Sequence, residues 1–337
     1  MSTTGLRLTC LDQLILASEQ LDQKDSANGR MAHILTDNAV ELMLHYQAER
    51  TLPDKGCYPE IRQLSKNEEA DYLGRNFKPK VKLARKLGVI GDEEAEFILI
   101  NHEYRNEVYH AGLRHEPVIW DLAWHYHSFA CSLLPKIKMG LGHSYRLEKE
   151  VSPRLKRFVS TESELVRGDF GAKFTAICNS VGAKVTNPKE LLSTVVGQAL
   201  SHDVKNVDDA LNFIEKYDGK ALSRNEIIVE TQLWSAMFDE ERRNKCTRKP
   251  CVKSVEELQR AGITDPVAIL GMFLQPPITE DPIGRWQKRI VSLRAEKTAL
   301  RALKKYHTLR TEMNDLCEAV FRTASGLSNH LDYLRGK

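Results

Sequence analysis

The chain is 337 residues long, 42% hydrophobic and 28% charged, with a formal charge of +3 at pH 7. That length supports two ordinary domains or one large one, and the composition is that of a soluble globular protein with a sizeable core. It excludes a low-complexity chain, and with no apolar run near the ~20 residues a bilayer demands it excludes a transmembrane helix; the small net charge does not by itself establish a nucleic-acid partner.

The first residues, Met1-Ser2-Thr3-Thr4-Gly5, lack the basic, apolar and cleavage segments of a secretory signal. A cytoplasmic location is therefore expected. Seven cysteines (Cys10, Cys57, Cys131, Cys178, Cys246, Cys251 and Cys317) form an odd, scattered set, which suits reduced thiols rather than a disulfide framework.

Leu8, Leu11, Leu14, Ile15 and Leu21 recur at helical spacing over residues 8–24. A second helix is expected over 30–50, with Ile34, Leu35, Val40, Leu42, Met43 and Leu44 as a broad apolar face and Pro53 and Gly56 closing it. After a connector over 52–64 and a helix around 67–77, Pro79 opens a short helix. Val81, Leu83, Ala84 and Leu87 are its buried set and Gly88 its cap.

Residues 92–117 carry the chemistry. Asp92 is the expected N-cap, and Glu93, Glu94 and Glu96 place negative charge on the first turns, where the helix dipole favours it. Phe97, Ile100, Tyr104 and Val108 form the apolar stripe, and Gly112 and Pro117 end the run. His102, Asn106 and His110 line a polar face at four-residue intervals. A further helix over 118–134 follows, with Trp120, Trp124 and Phe129 read as core rather than as a base-stacking platform. Together these segments predict an all-α, antiparallel bundle over residues 1–145.

The boundary is expected at 143–152, and residues 150–337 read as a second helical region. Helices are expected over 155–181, 188–200, 207–217 and 224–243, then an exposed basic loop over 244–253. Two short helices follow within 255–274, then a Pro-rich break at 276–282 and one long helix over 284–334. Basic residues gather in two places, Arg242 to Lys253 and Arg285 to Arg310. Such clusters can form a footprint for phosphates, or simply a solvated face.

Arg105 and His110 are five positions apart, which on an ideal helix is ~140° around the axis and ~7.5 Å along it. Convergence needs the arginine to reach around, or the last turn to loosen. Asn106, one turn before His110, is placed to hold the imidazole in one tautomer. The run Arg105-Asn106-Glu107-Val108-Tyr109-His110 resembles the Arg-polar-X-X-X-His motif of the HEPN superfamily, helical domains found in many metal-independent ribonucleases, toxins and antiviral effectors. The stretch Asp37-Asn38-Ala39-Val40-Glu41-Leu42-Met43-Leu44 is similar to an early helix of that family. A second Arg–His pair, Arg301 and His307, has Ala302 after the arginine and no helix terminator.

The resemblance implies RNA cleavage without metal or cofactor, at a cleft shared by two copies of the chain. Arg105, Asn106 and His110 would be the site, leaving 2′,3′-cyclic phosphate and 5′-hydroxyl ends. Imidazole suits proton transfer near neutrality, and the guanidinium fork suits the charge of a phosphorane. The expected partners are thus an RNA substrate, a second copy, and a regulator reached through the C-terminal helices, with no membrane. Two alternatives stay open: an inactive HEPN-like dimerisation or interaction module, and an Arg105 paired with Glu103 or an adjacent-helix carboxylate while His110 caps its helix. Cys246 and Cys251 lack a second pair for zinc, and His125 and His127 point to different sides of a helix, so no metal site is expected.

Overall fold

The computed structural model describes residues 3–111, 117–137, 152–158, 169–184, 188, 190–217, 222–250 and 254–336. Among these are fourteen α-helices and one two-stranded antiparallel sheet, so the fold is all-α. The chain divides into two compact units, Met1–Val196 with Lys297–Lys304, and Gly197–Glu296 with Lys305–Lys337. The boundary expected at 143–152 falls mainly on residues 138–151, outside the described set, and the first unit continues to Val196.

The first unit contains α1 (Thr3–Leu21), α2 (Ser26–Thr51), α3 (Lys66–Leu73), α4 (Phe77–Lys86), α5 (Asp92–Ala111), α6 (Ile119–Leu133) and α7 (Phe170–Lys184). Its organising element is α2, which packs against α1, α3, α4, α5 and α6. A helix covered on several sides buries more than one stripe. Accordingly, alongside Ala32, Ala39, Val40, Met43 and Leu44, the polar His33, Thr36, Asp37 and Gln47 of α2 are also interior. Gly29 permits the α2–α6 approach: a Cβ there would lie 2.9 Å from the Trp120 Cα.

The expected stripe of α5 is the buried one, with Phe97, Ile100, Tyr104 and Val108 all in the core. Each such side chain contributes roughly 1.5–3 kcal/mol on leaving water. The start of α5 differs from expectation. Asp92 lies inside the first turn and pairs with Arg85 at 2.7 Å, while Glu94 Oε2 accepts the Gly91 N–H at 2.8 Å. The longer glutamate reaches back to a free amide that the aspartate has already passed. Gly88 does cap α4: at φ +68° it lets its own N–H reach the Arg85 carbonyl (3.0 Å) and that of Val89 the Ala84 carbonyl (3.0 Å). Trp120 and Trp124 are partly buried against Ala17, Leu21, Ala32 and Ala123, and Trp120 Nε1 donates to the Leu21 carbonyl at 2.9 Å.

The second unit holds most of α8 (Leu192–Tyr217), then α9 (Arg224–Phe238), α10 (Glu240–Lys245), β1 (Thr247–Arg248), α11 (Val255–Arg260) and α12 (Pro266–Phe273). After these come β2 (Leu274–Gln275), α13 (Ile283–Arg294) and the greater part of α14 (Ala299–Leu334). Four expectations are corrected here. The helices expected at 188–200 and 207–217 are one helix, because Val196, Leu200, Val204, Val207, Leu211 and Ile214 keep a single buried stripe unbroken. The 224–243 segment breaks at Asp239, whose side chain caps α10 through the Arg242 N–H at 3.2 Å.

The loop expected at 244–253 contains β1, which pairs Thr247 with Gln275 and Arg248 with Leu274. The long helix expected over 284–334 is interrupted at residues 295–298, where the Thr298 hydroxyl accepts the Arg301 N–H at 3.4 Å and starts α14 afresh. The Pro-rich break is a pinned turn: the Gln232 side chain bonds the Ile278 backbone in both directions, at 2.6 and 3.3 Å. No helix among the described residues is long and apolar enough to cross a membrane.

Candidate functional site

Asp37 is the centre of the strongest polar cluster. It lies on the buried side of α2 with no side-chain exposure. Its Oδ2 accepts from His102 Nδ1 at 2.9 Å and from Arg105 Nε at 3.0 Å, and its Oδ1 accepts from the Tyr126 hydroxyl at 2.9 Å. Burial pushes the Asp37 carboxyl up, but hydrogen bonds from His102 and Tyr126, with the nearby His102 and His33 rings, outweigh it. Asp37 therefore sits below the ordinary carboxylate range. The Tyr126 phenol is pushed well above its usual range by burial and by Asp37 beside it.

Because a carboxylate only accepts, His102 donates to Asp37 through a protonated Nδ1. Its ring packs 4.3 Å from that of Phe77, and 19% of the side chain is exposed. This is an imidazole oriented by a buried acid, the arrangement that prepares a proton acceptor.

Arg105, on the next turn of α5, is 21% exposed and bridges α5 to α2. Besides Asp37, its Nη2 donates to Glu41 Oε2 at 2.7 Å and its Nη1 to Asn106 Oδ1 at 3.0 Å. Three of its five N–H groups are thus held in one geometry. Of the roles open to Arg105 in the sequence, pairing with an adjacent-helix carboxylate is present, and the partners are Asp37 and Glu41 rather than Glu103. The Asn106 oxygen accepts from Arg105, and the expectation that its amide holds His110 falls on a side chain outside the described residues. The backbone of His110 lies on α5, while its side chain falls outside the described residues.

A second polar layer sits one turn away. His33 Nε2 is 3.0 Å from Asn101 Oδ1, and Asn101 Nδ2 donates to the Phe97 carbonyl at 2.8 Å, so Nε2 is the protonated nitrogen of His33. Burial lowers the His33 pKa and keeps the ring neutral. The ligand atoms of Asp37, Glu41 and His102 also lie within 4.8 Å of one another, close enough for a metal ion. Arg105 already supplies the positive charge there, so a divalent ion would have to displace the guanidinium.

Asp37, Glu41, His102 and Tyr126 were not among the site residues read from the sequence. The signal was present in α2: Asp37 falls at the buried spacing of Val40 and Leu44, and a charge on an apolar stripe requires a partner. The basic clusters of the C-terminal half, by contrast, are largely matched. Arg242 pairs with Asp239 and Glu318, Lys245 with Asp315, and Arg285 and Arg289 with Glu312. Comparison with models of known families, with curated proteins and with solved structures finds no match for this chain.

Proposed function

We propose that this chain is a metal-independent endoribonuclease of the HEPN type, acting as a homodimer in a toxin or antiviral role. The observation that carries the reading is the guanidinium of Arg105, clamped by Asp37, Glu41 and Asn106 yet still partly exposed, on the same helix as His110. Clamping removes the entropy cost of ordering a long side chain before the phosphate arrives, and two charge partners hold it without saturating its donors. In this mechanism His110 takes a proton from the ribose 2′-hydroxyl, or returns one to the leaving 5′-oxygen. Arg105 offsets the charge of the phosphorane and Asn106 steadies the fork. A regulator would act through the C-terminal helices.

The test is incubation of purified protein with total RNA in excess chelator, followed by mapping of the end chemistry. Wild type should leave cyclic phosphate and 5′-hydroxyl ends. Arg105→Ala and His110→Ala should each lower cleavage at least about 100-fold with helical content preserved. Nuclease activity retained in both variants rejects the assignment. One observation favours a second reading, an inactive interaction module: Asp37 and Glu41 together more than offset the charge of Arg105, as in a purely structural bridge. On that reading wild type cleaves no RNA, and Arg105→Ala lowers only the melting temperature.

A further inference from the structure

The side of α2 that faces away from the core borders a cavity of about 500 Å³, within the range of small-ligand pockets. Asn38, Glu41 and His45 line it from α2, Gln13 from α1, Arg75 from the α3–α4 turn, and Lys80 from α4. Glu41 belongs to both places, since its Oε2 is the atom that receives Arg105. The cavity therefore adjoins the guanidinium clamp. Lys80 shapes the wall by donating to the Gly74 and Asn76 carbonyls at 2.5 and 2.9 Å, which holds the α3–α4 turn in place.

Two polar atoms here are unused. Gln13 Oε1 and His45 Nδ1 are shielded from solvent and have no hydrogen-bond partner among the described residues. His45 Nε2 lies 3.2 Å from Glu49 Oε1, so in the neutral ring Nε2 is the donor and Nδ1 an acceptor. With the Glu41 carboxylate, the cavity is thus rich in acceptors and calls for an occupant rich in N–H donors. Leu42 and Leu73 supply apolar surface for a flat ring, and Leu73 is 47% exposed. The exposed Arg75 makes no hydrogen bond or ion pair among the described residues and stands ready for an anion.

We propose that this cavity is a base-selective subsite for one nucleotide of a single-stranded RNA, with Gln13, His45 and Glu41 reading the base edge and Arg75 holding a flanking phosphate. The choice of polymer rests on the ribonuclease reading above; the choice of base rests on the cavity alone. Guanine offers its N1–H and N2 amino group, adenine and cytosine one amino group each, and uracil a single N3–H. The order of preference should therefore be guanine first and uracil last.

The experiment uses fluorescent heptamers, 2′-O-methylated throughout so that no 2′-hydroxyl can attack, with six uridines around a central U, C, A or G. Fluorescence anisotropy on the full-length protein should give the central-G probe about tenfold tighter binding than the all-U probe, corresponding to about 1.4 kcal/mol. Gln13→Met keeps the side-chain length and should erase that preference, bringing the central-G affinity down to that of the all-U probe. Arg75→Ala should weaken all four probes alike and lower the salt slope by about 0.7.

Equal binding of all four probes by wild type, or a preference that survives both Gln13→Met and His45→Phe, overturns the subsite. Circular dichroism of each variant separates misfolding from lost recognition. The unmodified RNA heptamers separate the two readings. Selective binding without cleavage supports the subsite and rejects the nuclease assignment. Cleavage with no base selectivity, lost in Arg105→Ala, supports the nuclease and rejects the subsite. Failure of the RNA probes to bind at all overturns the subsite directly.

Discussion

Replacing Asp37 with asparagine separates the carboxylate's charge from its shape. The side chain is fully buried and receives three donors, from His102, Arg105 and Tyr126, at 2.9, 3.0 and 2.9 Å. An amide of the same size keeps one oxygen but turns NH₂ toward groups that are themselves donors. Breaking a buried ion pair from one side costs about 3–5 kcal/mol. Arg105 is 21% exposed and keeps Glu41, so the lower end applies, about 3 kcal/mol. For a unit of this size that is a fall in melting temperature of roughly 6–12 °C, followed by circular dichroism at 222 nm.

The sign of the pH dependence follows from the same environment. Folding lowers the Asp37 pKa, so its contribution is complete above the unfolded value of about 3.9 and is lost as pH falls through the folded value. The gap between wild type and Asp37→Asn should therefore be open at pH 5 and close in stronger acid. Tyr126→Phe, which removes one hydrogen bond to a charged group, should cost about 1.5–3 kcal/mol. A loss under about 1 kcal/mol for Asp37→Asn would refute the view that this carboxylate ties α2 to α5 and α6.

Gly29→Ala should destabilise by about 1–2 kcal/mol although alanine favours helix, because the new methyl would meet Trp120 backbone that has no rotamer to yield; a raised melting temperature would contradict the close α2–α6 approach. Burial holds the His127 pKa at about 4, so the ring's contribution is complete above about pH 6.5 and is lost as pH falls toward 4. Asp121, raised to about 6 by burial, acts in the opposite sense over the same range, which is why the contribution must be read by difference. His127→Gln should flatten the acid slope of urea stability by about 2–3 kcal/mol between pH 7 and 4.5, and identical slopes would defeat the assignment. Brief alkylation of native protein at pH 7.5, read by peptide mass mapping, should label the exposed Cys57 and spare Cys10, Cys131 and Cys178. These three are buried and their thiols are shifted upward, which disfavours the reactive thiolate; rapid labelling of any of them would show that α1, α6 and α7 open readily.

What could be read without coordinates was what local spacing encodes. The stripe of Phe97, Ile100, Tyr104 and Val108 defines one face of α5, and Gly88 ends α4, because both depend on neighbours within a turn or two. The all-helical class follows from the same periodicity. The interruption at residues 295–298, the pairing of Thr247 with Gln275 and the continuity of α8 were out of reach, since short strands carry no period and helix breaks and fusions are decided by what packs across them.

The candidate site divides along the same line. Arg105, Asn106 and His110 were visible as a motif on one helix, but the atoms that hold the arginine come from Asp37 and Glu41, more than 60 residues earlier. Their role depends on α2 being enclosed by five other helices, which turns an ordinary surface acid into a buried, ionised anchor. Sequence spacing sets which side chains share a helix face; only the packing of separate helices decides which charges lose their water and must find one another.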